Sequence, residues 1–394
     1  MLGSRPNSVT RSTPPPTKST TLFVLALSAV LLSSMADTLR GPLVPLIMSD
    51  LHLTDRGNGV FYGLASLGGL TASLSLGWLP WLNSPTRVMR SAAVILLCAV
   101  LVLSSARSTA VLYGAALALG ISMASMNVSS TVVVNLASPV QKRGRYLSIH
   151  ALMYGLMSIA VPLTAGAFAN GLGWRRLMLL PALGLVVFLY CARHAKDAPA
   201  PPVFQANTPG ASVEAVFWLT LLVVGLYVGA EVGTSAWLVR CWIGQGAHYG
   251  RATSALTLFF AALSAGRILA SALADRWQQV GPIALCLALS TVCLAAGVLH
   301  HLLWFSLSGL FMGPVVPLIL ALLSRRWPAQ QGSVTAFTLA SFSLFIAATH
   351  FGMGLWADLS GSVLKAFWIP VGLMALAWGL ALGLALRATT ATPG

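Results

Sequence analysis

The chain has 394 residues, of which 57% are hydrophobic and only 8% are charged, and its mean hydropathy is +0.83. About a quarter of the residues of an ordinary soluble domain are charged, so this composition excludes a soluble enzyme and predicts an integral membrane protein. The formal net charge of +15 does not indicate nucleic-acid binding, because helical membrane proteins keep Lys and Arg in their loops.

Long apolar runs dominate the chain, without the alternation of apolar and polar residues that a membrane β-barrel would need. A helix that crosses a bilayer needs ~20 mostly apolar residues, so the chain has room for about twelve such helices. The predicted fold class is therefore an all-α polytopic membrane protein with twelve transmembrane helices. The predicted domains are a disordered cytoplasmic tail at 1–20, a six-helix bundle at 21–193, a cytoplasmic linker at 194–212, a second six-helix bundle at 213–386 and a cytoplasmic tail at 387–394.

The first predicted helix, at 21–47, carries an acidic residue, Asp37, and a basic residue, Arg40. A signal peptide cleaved just before Asp37 is the alternative, but the helical pattern continues past this residue and favours a membrane span. Residues three apart share a helix face, so Asp37 and Arg40 can form an ion pair that lowers the cost of burying both. A structural ion pair and a gating or proton-handling role both remain open.

Polar side chains also occur in the fourth and fifth predicted helices. Asn127 falls in the span at 109–135, where it either hydrogen-bonds to a neighbouring helix or contacts a substrate. Tyr154 falls in the span at 146–170, one turn after His150 on the same face. We interpret His150 as a histidine at the membrane interface, because it follows a basic connection.

The seventh predicted helix, at 213–239, has a carboxylic acid near its middle, Glu231. A charged side chain at the bilayer centre costs roughly 2.5–3.5 kcal/mol on insertion scales, so such a residue is a functional-site hypothesis by default. Glycines recur every four residues before and after it and define a face for close helix packing, nearly opposite the acid. Tyr227 instead shares the side of Glu231. The sequence therefore predicts one packing face and one polar face.

The eighth predicted helix, at 251–274, contains Arg267, whose buried charge needs an acidic or polar partner. Glu231 is the candidate for that partner in the second half of the chain. We predict that Asp37, Glu231, Arg40 and Arg267 act in proton coupling or gating. The predicted substrate contacts are Asn127, Tyr154, Tyr227, Trp237, Thr338 and His350.

Basic residues in the connections predict the orientation of the chain. With twelve helices and an inner amino terminus, fourteen Lys and Arg fall on the inner side and eight on the outer side, as the positive-inside rule requires. Both termini are thus predicted to be cytoplasmic, in a cell membrane and more specifically a bacterial inner membrane. The five cysteines lack the paired spacing of a metal site, so we expect no metal and no cofactor. We also expect the protein to be a monomer.

The two halves of the chain echo each other at an offset of roughly 190 residues. The segment 77–81 at the end of the second span matches 271–276 at the end of the eighth. Two six-helix halves joined by a cytoplasmic linker resemble the major facilitator superfamily of transporters, from about residue 20 to 386. Asp275 and Arg276 resemble the loop signature that locks the cytoplasmic gate in that superfamily, whereas the first-half copy has Trp81 in place of the Asp.

Within that superfamily, three segments resemble the fucose/glucose-galactose permease branch. Residues 227–233 are similar to its seventh helix, 309–317 to its tenth, and Gly266-Arg267 to its eighth. The resemblance implies a sugar importer coupled to protons or sodium. The fourth helix departs from the branch, which has a glutamate where this chain has Met123. Either coupling then falls to Asp37 or Glu231, or the substrate is a different one altogether.

The sequence thus predicts a secondary active transporter that moves a small organic solute, such as a sugar, by alternating access and with proton coupling. Its partners would be the solute, the proton or sodium ion and the lipid bilayer. The alternative is a proton-antiporting exporter of drugs or other hydrophobic compounds, because glutamine, a common sugar ligand, is nearly missing from the predicted helices. A membrane enzyme or sensor is disfavoured, since the chain has no HExxH, GxSxG or P-loop motif.

Overall fold

The computed structural model describes residues 16–75, 84–139, 142–195, 197, 215–273, 280–327 and 331–390. The regular secondary structure of these ranges is helical. The helices of the first half are α1 (Pro16–Leu51), α2 (Asp55–Ser75), α3 (Pro85–Ser105), α4 (Thr109–Ala137), α5 (Arg143–Leu177) and α6 (Leu180–His194). Those of the second half are α7 (Ala215–Gly244), α8 (Tyr249–Leu273), α9 (Val280–Leu299), α10 (Leu303–Met312), α11 (Val315–Arg326), α12 (Gln331–Ser360), α13 (Val363–Ala366) and α14 (Trp368–Thr390).

Among the described residues, ten helical segments are long and apolar enough to cross a membrane. Two of them combine shorter helices: α10 with α11 over Leu303–Leu323, and α13 with α14 over Val363–Leu386. The glycine-rich α2 and the shorter apolar α6 complete the twelve helices of the fold. The predicted all-α polytopic membrane architecture is confirmed.

Two of the helical segments are interrupted where the local sequence disfavours a continuous helix. The tenth predicted span, at 302–323, breaks after Met312, because Pro314 has no amide hydrogen to donate and its ring clashes with the preceding turn. The helical backbone of α5 is interrupted at Gly173, whose φ of 74° lies in the left-handed region. Glycine adopts this region without the steric cost of a Cβ atom.

Each half of the chain has a hydrophobic cluster of its own. One cluster is built from residues between Leu25 and Ala195, and the other from residues between Phe217 and Ala381. The helices of each half therefore pack around a separate apolar core. The predicted domain boundaries stay a prediction, because most of the linker at 194–212 lies outside the described residues.

The two halves contact each other mainly through α2 with α12, α5 with α8, and α1 with α7. The backbones of α2 and α12 approach most closely where both helices have glycine. A Cβ atom at Gly59 would lie 2.5 Å from the His350 carbonyl oxygen, and one at Gly354 would lie 2.8 Å from the Asp55 carbonyl oxygen. Small residues permit such close approach of membrane helices.

Two ends of the bundle are named here by their residues. The "α1–α2 face" contains residues 50–56, 104–106, 174–176 and 240–250, and the "tail face" contains residues 16–23, 84–90, 192–195 and 197. On the α1–α2 face, Asp50 accepts hydrogen bonds from Arg175 at 2.6 Å and from the Trp174 indole at 3.2 Å. These bonds tie the end of α1 to the break in α5.

Asp197 ties α3 to the segment after α6 on the tail face. Its carboxylate accepts hydrogen bonds from Arg87 at 3.0 Å and from Arg90 at 2.9 Å. The Arg87 guanidinium holds the pKa of Asp197 below its ordinary value of 3.8. The ion pairs of Asp197 therefore stabilise the folded state above the ordinary pKa of the carboxyl group, and this stabilisation is lost as the pH falls through the lowered pKa. It is below about 1 kcal/mol, because the groups are well exposed.

Candidate functional site

The polar residues that the sequence singled out are positioned first by the packing of α7. The glycine face of α7 lies against α12, since a Cβ atom at Gly229 would lie 2.7 Å from Thr349 Oγ1 and one at Gly233 would lie 2.7 Å from Thr349 Cγ2. This contact fixes the rotation of the helix about its axis. Glu231 consequently points away from α12, towards α8 and α10, as the four-residue spacing of the glycines predicted.

Glu231 lies in a cluster with Tyr227 and Arg267. The Tyr227 hydroxyl contacts the Glu231 carboxylate and lies 2.6 Å from the carbonyl oxygen of Met312, at the end of α10. Arg267 Nη2 of α8 is 3.5 Å from Glu231 Oε1. The side chains of Glu231 and Arg267 are 12% and 35% exposed, although both residues lie within membrane-spanning helices. The predicted pairing of this acid with Arg267 is seen in the structure.

Asp37 of α1 lies in a second cluster of the same composition. Its carboxylate pairs with Arg40 one turn later and accepts a hydrogen bond from the Tyr154 hydroxyl of α5. The Asp37 side chain is 30% exposed, whereas that of Arg40 is 11% exposed. Each half of the chain thus supplies one carboxylate, one guanidinium and one phenol.

The two clusters approach each other where α5 packs on α8. Tyr154 lies within electrostatic range of Arg267, and a Cβ atom at Gly155 would lie 3.2 Å from the hydroxyl oxygen of Ser264. The hydroxyls of Tyr154 and Tyr227, both predicted substrate contacts, hydrogen-bond to Asp37 and Glu231 respectively. A substrate role for these tyrosines stays a prediction.

An interlocked set of side chains connects Asp37 to the second half of the chain. The Arg40 guanidinium lies 5.4 Å from the ring centroid of Tyr62 in α2, and this ring stacks on His350 of α12 at 4.7 Å. Trp237 of α7 donates from Nε1 to His350 Nδ1 at 3.1 Å. Since an indole can only donate, the accepting imidazole is neutral. No motif or spacing in the sequence marks Tyr62, which lies in a glycine-rich helix without charged neighbours in its own turn.

Four of the predicted substrate contacts are buried or engaged with protein groups. Trp237 and His350 are 0% and 1% exposed and bond to each other, and Thr338 is 1% exposed. Asn127 accepts a hydrogen bond from Ser33 of α1 at 3.1 Å, which is the helix-packing alternative. No part of this geometry tests substrate binding, so the substrate role of these residues stays a prediction.

His150 is buried between helices, because it is 8% exposed and its Nε2 lies 2.9 Å from Ser130 Oγ of α4. Its place at the membrane interface stays a prediction. Its polar ring is satisfied between two helices of the first half. The cytoplasmic gate motif, Asp275 and Arg276, lies outside the described residues. The described part of the chain has no group of His, Cys, Asp or Glu arranged to hold a metal ion.

Hydrogen bonds between the halves close the α1–α2 face. Arg240 at the end of α7 donates two bonds of 2.9 Å to the two carboxylate oxygens of Asp55 at the start of α2. The Tyr249 hydroxyl donates to the Pro42 carbonyl oxygen at 3.0 Å. Sequence reasoning missed the Asp55–Arg240 pair, because its members stand at helix ends 185 positions apart and only the three-dimensional arrangement joins them.

Comparison with known proteins identifies the family. The family model described as Major Facilitator Superfamily matches residues 26–349. The chain belongs to the major facilitator superfamily. Proteins of this family and fold are generally carriers without enzymatic activity, and this major facilitator chain is a multi-pass membrane protein.

Curated relatives match parts of this major facilitator chain. The MFS-type transporter phomT of Diaporthe leptostromiformis is 31% identical over 163 residues, which are 39% of this chain and 26% of that protein. The MFS thioclapurine efflux transporter tcpA of Claviceps purpurea is 27% identical over 230 residues, which are 55% of this chain and 41% of that protein. The chain spans less than half the length of either relative.

Solved structures match nearly the whole major facilitator chain at low identity. A bacterial homologue of the human lysosomal transporter Spinster, inward-facing and occupied, has a TM-score of 0.74 at 13% identity, over 92% of this chain and 96% of that one. A D-xylose-proton symporter has a TM-score of 0.71 at 15% identity, over 92% of this chain and 96% of that one. FucP in its outward conformation has a TM-score of 0.63 at 14% identity, over 91% and 97%. These likenesses show the fold alone.

Proposed function

We propose that this transporter is proton-coupled and exports a small, largely apolar organic solute by alternating access between its two halves. The observation that carries the proposal is the pair of carboxylate, guanidinium and phenol clusters around Asp37 and Glu231. An ionisable residue within a membrane helix is expensive and marks an ion or substrate pathway. Two such residues, each partly exposed, support proton transfer at the contact between the halves.

Glu231 has hydrogen-bond partners in both of its protonation states. When the acid is charged, Tyr227 donates to it and Arg267 lies 3.5 Å away. When it is protonated, it can donate to the Tyr227 oxygen, and the single phenolic hydrogen can turn to the Met312 carbonyl 2.6 Å away. A residue that must accept and release a proton needs both arrangements, because an unsatisfied buried polar group is costly.

The closed α1–α2 face supports one half of an alternating-access cycle. In the predicted orientation this face is the outer one, so the Asp55–Arg240 pair and the packing of α2 on α12 would seal the transporter from outside. Because this face is closed, we infer that the water that reaches the partly exposed Asp37 and Arg267 comes from the inner side. The bacterial inner membrane and the monomeric state stay predictions.

Export of an apolar solute fits the described polar groups better than import of a sugar. Sugar recognition needs many free hydrogen-bonding groups, whereas Asn127, Trp237 and His350 are engaged with protein groups. A curated relative is named an efflux transporter, and another is named a rubrofusarin-specific efflux pump. Sugar import remains the second candidate, because 227–233 and 309–317 resemble helices of the fucose/glucose-galactose permease branch.

The sign of the proton movement tests the proposal. Purified transporter is reconstituted into liposomes that contain a pH-sensitive dye, and lipophilic toxins and sugars are added outside one at a time. An antiported solute that enters drives protons out and makes the interior more alkaline, whereas a cotransported sugar makes it more acidic. Liposomes without protein are the control. A solute that is transported without any change of internal pH would contradict proton coupling.

We expect Asp55→Asn to open the α1–α2 face. The side chains of Asp55 and Arg240 are only 14% and 25% exposed, so the variant leaves a largely buried guanidinium without its carboxylate. The closed state should lose on the order of 1–3 kcal/mol, or roughly 5–150-fold in population. The measurement is the labelling rate of a cysteine introduced at Ala236, with Cys98 and Cys191 replaced by serine and with a thiol reagent that does not cross membranes.

The charge-reversed double variant, Asp55→Arg with Arg240→Asp, is the control for this prediction. It re-forms the ion pair with opposite polarity, so labelling at Ala236 should return towards the rate of the parent protein. If Asp55→Asn labels no faster than the parent, the pair does not hold the face closed.

A further inference from the structure

Tyr62 occupies a distinctive position at the contact between the two halves. It is 2% exposed, its ring touches Arg40 of α1 and His350 of α12, and its hydroxyl donates to the Ala236 carbonyl oxygen of α7 at 3.3 Å. One side chain of the first half thus contacts two helices of the second. It also contacts the guanidinium that neutralises Asp37.

The stack of Tyr62 on His350 joins α2 to α12 while the α1–α2 face is closed. His350 is held within the second half by the hydrogen bond from Trp237 at 3.1 Å. Its backbone lies so close to α2 that a Cβ atom at Gly59 would be 2.5 Å from the His350 carbonyl oxygen. When α2 separates from α12, the ring of Tyr62 therefore loses His350.

The charge of Arg40 is stable in this closed arrangement only because Asp37 neutralises it. The Arg40 side chain is 11% exposed, and leaving a buried charge without its partner is strongly unfavourable. The other charged or titratable groups around the pair are Tyr154 of α5 on the carboxylate, Arg267 of α8 near that phenol, and the neutral His350 of α12 near Arg40. None of these groups can replace the negative charge of Asp37.

Protonation of Asp37 would leave Arg40 buried against Tyr62 without a counter-ion. The guanidinium would be stabilised again if water could reach it, which requires α2 and α12 to separate. The cation–π contact with Tyr62 keeps Arg40 beside the contact between α2 and α12, where this separation occurs. The charge of Asp37 and the closure of the face therefore favour each other.

We propose that Tyr62 is a positioning residue that couples the protonation of Asp37 to the opening of the α1–α2 face. Charged Asp37 holds Arg40 on Tyr62 and keeps Tyr62 stacked on His350. When Asp37 is neutral, the contact between Tyr62 and His350 is released and α2 can separate from α12. The inference rests on the proposed proton coupling and adds the route by which the proton changes the conformation. Tyr62 itself exchanges no proton and binds no solute in this scheme.

The experiment measures the separation of the halves as a function of pH. Spin labels are attached at Arg107 and His300, which are exposed in the connections of the two halves on this face, after Cys98 and Cys191 have been replaced by serine. Pulsed electron paramagnetic resonance on the reconstituted transporter should show a longer distance between the two spin labels as the pH falls. Asp37→Asn should give the long distance at every pH, and the pH response should persist in Glu231→Gln.

Tyr62→Leu should abolish the pH response, whereas Tyr62→Phe should keep it, because phenylalanine retains the ring that contacts Arg40 and His350. His350→Asn is the second test, since it keeps an acceptor for Trp237 and removes only the stacked ring. It should also abolish the response. Thermal unfolding and elution profiles verify that each variant is folded. If Tyr62→Leu does not fold, the pH response of His350→Asn alone tests the inference.

A pH response that survives in folded Tyr62→Leu or His350→Asn overturns the inference. A distance that does not change with pH in the parent protein also overturns it, even where the dye assay shows proton movement, and the proposed function then stands. Transport without proton movement in the dye assay is a different failure, which removes the proposed function itself.

Discussion

Glu231→Gln is expected to abolish solute accumulation driven by a pH gradient while leaving solute exchange intact. Glutamine is close to glutamate in shape and can still hydrogen-bond to Tyr227, but it cannot bind or release a proton. Exchange of internal for external solute needs the site and the conformational change and no net proton movement. The measurement compares gradient-driven accumulation with counterflow of radiolabelled solute in the same liposomes.

The control for this prediction is Asp358→Asn, which removes an exposed carboxylate of the second half at the far end of α12. It should accumulate solute as the parent does. Tyr227→Phe is an informative companion, because it removes the only hydrogen that can pass between Glu231 and the Met312 carbonyl. It should change the pH profile of transport. Undiminished accumulation in Glu231→Gln would leave Asp37 as the coupling acid.

Gly120→Ala is expected to destabilise the transporter by about 1–3 kcal/mol, the usual range for overpacking. A Cβ atom at Gly120 in α4 would overlap the carbonyl oxygen of Ala65 in α2, and a backbone atom of a packed helix cannot move aside cheaply. The measurement is the midpoint of thermal unfolding in detergent, together with the yield of monodisperse protein.

Gly114→Ala on the same helix is the matched control, because a Cβ atom there would meet no atom within 4 Å. It should be neutral or slightly stabilising, since alanine is favoured over glycine within a helix by about 1 kcal/mol. If the two variants unfold at the same temperature, α2 and α4 are not in the close contact described.

The local rules of helices account for what the sequence predicted correctly. The glycines of α7 gave the packing face and hence the direction of Glu231, and the three-residue spacing gave the pairing of Asp37 with Arg40. Hydrophobic run length gave the number and type of membrane spans. These features depend on residues within one turn of each other, or on the thickness of the bilayer.

The contacts between the halves could not be predicted in the same way. The position of Tyr62 on His350, and of Asp55 on Arg240, depends on how two bundles are placed against each other. No periodicity within a helix encodes that placement. The interpretation of Trp237 and His350 as substrate contacts used their residue types alone, and their partner in each case is the other.

The separate apolar clusters of the two halves have a thermodynamic consequence. We expect opening and closing to move each cluster as a unit, so that little apolar surface is exchanged with water. The heat capacity of a protein changes with the apolar surface that it exposes. The change between the state with the α1–α2 face closed and the state with that face open should therefore have a heat-capacity change close to zero. Unfolding, by contrast, has a large one. The balance between these states would then vary smoothly with temperature, without the curvature that limits the stability of the fold itself.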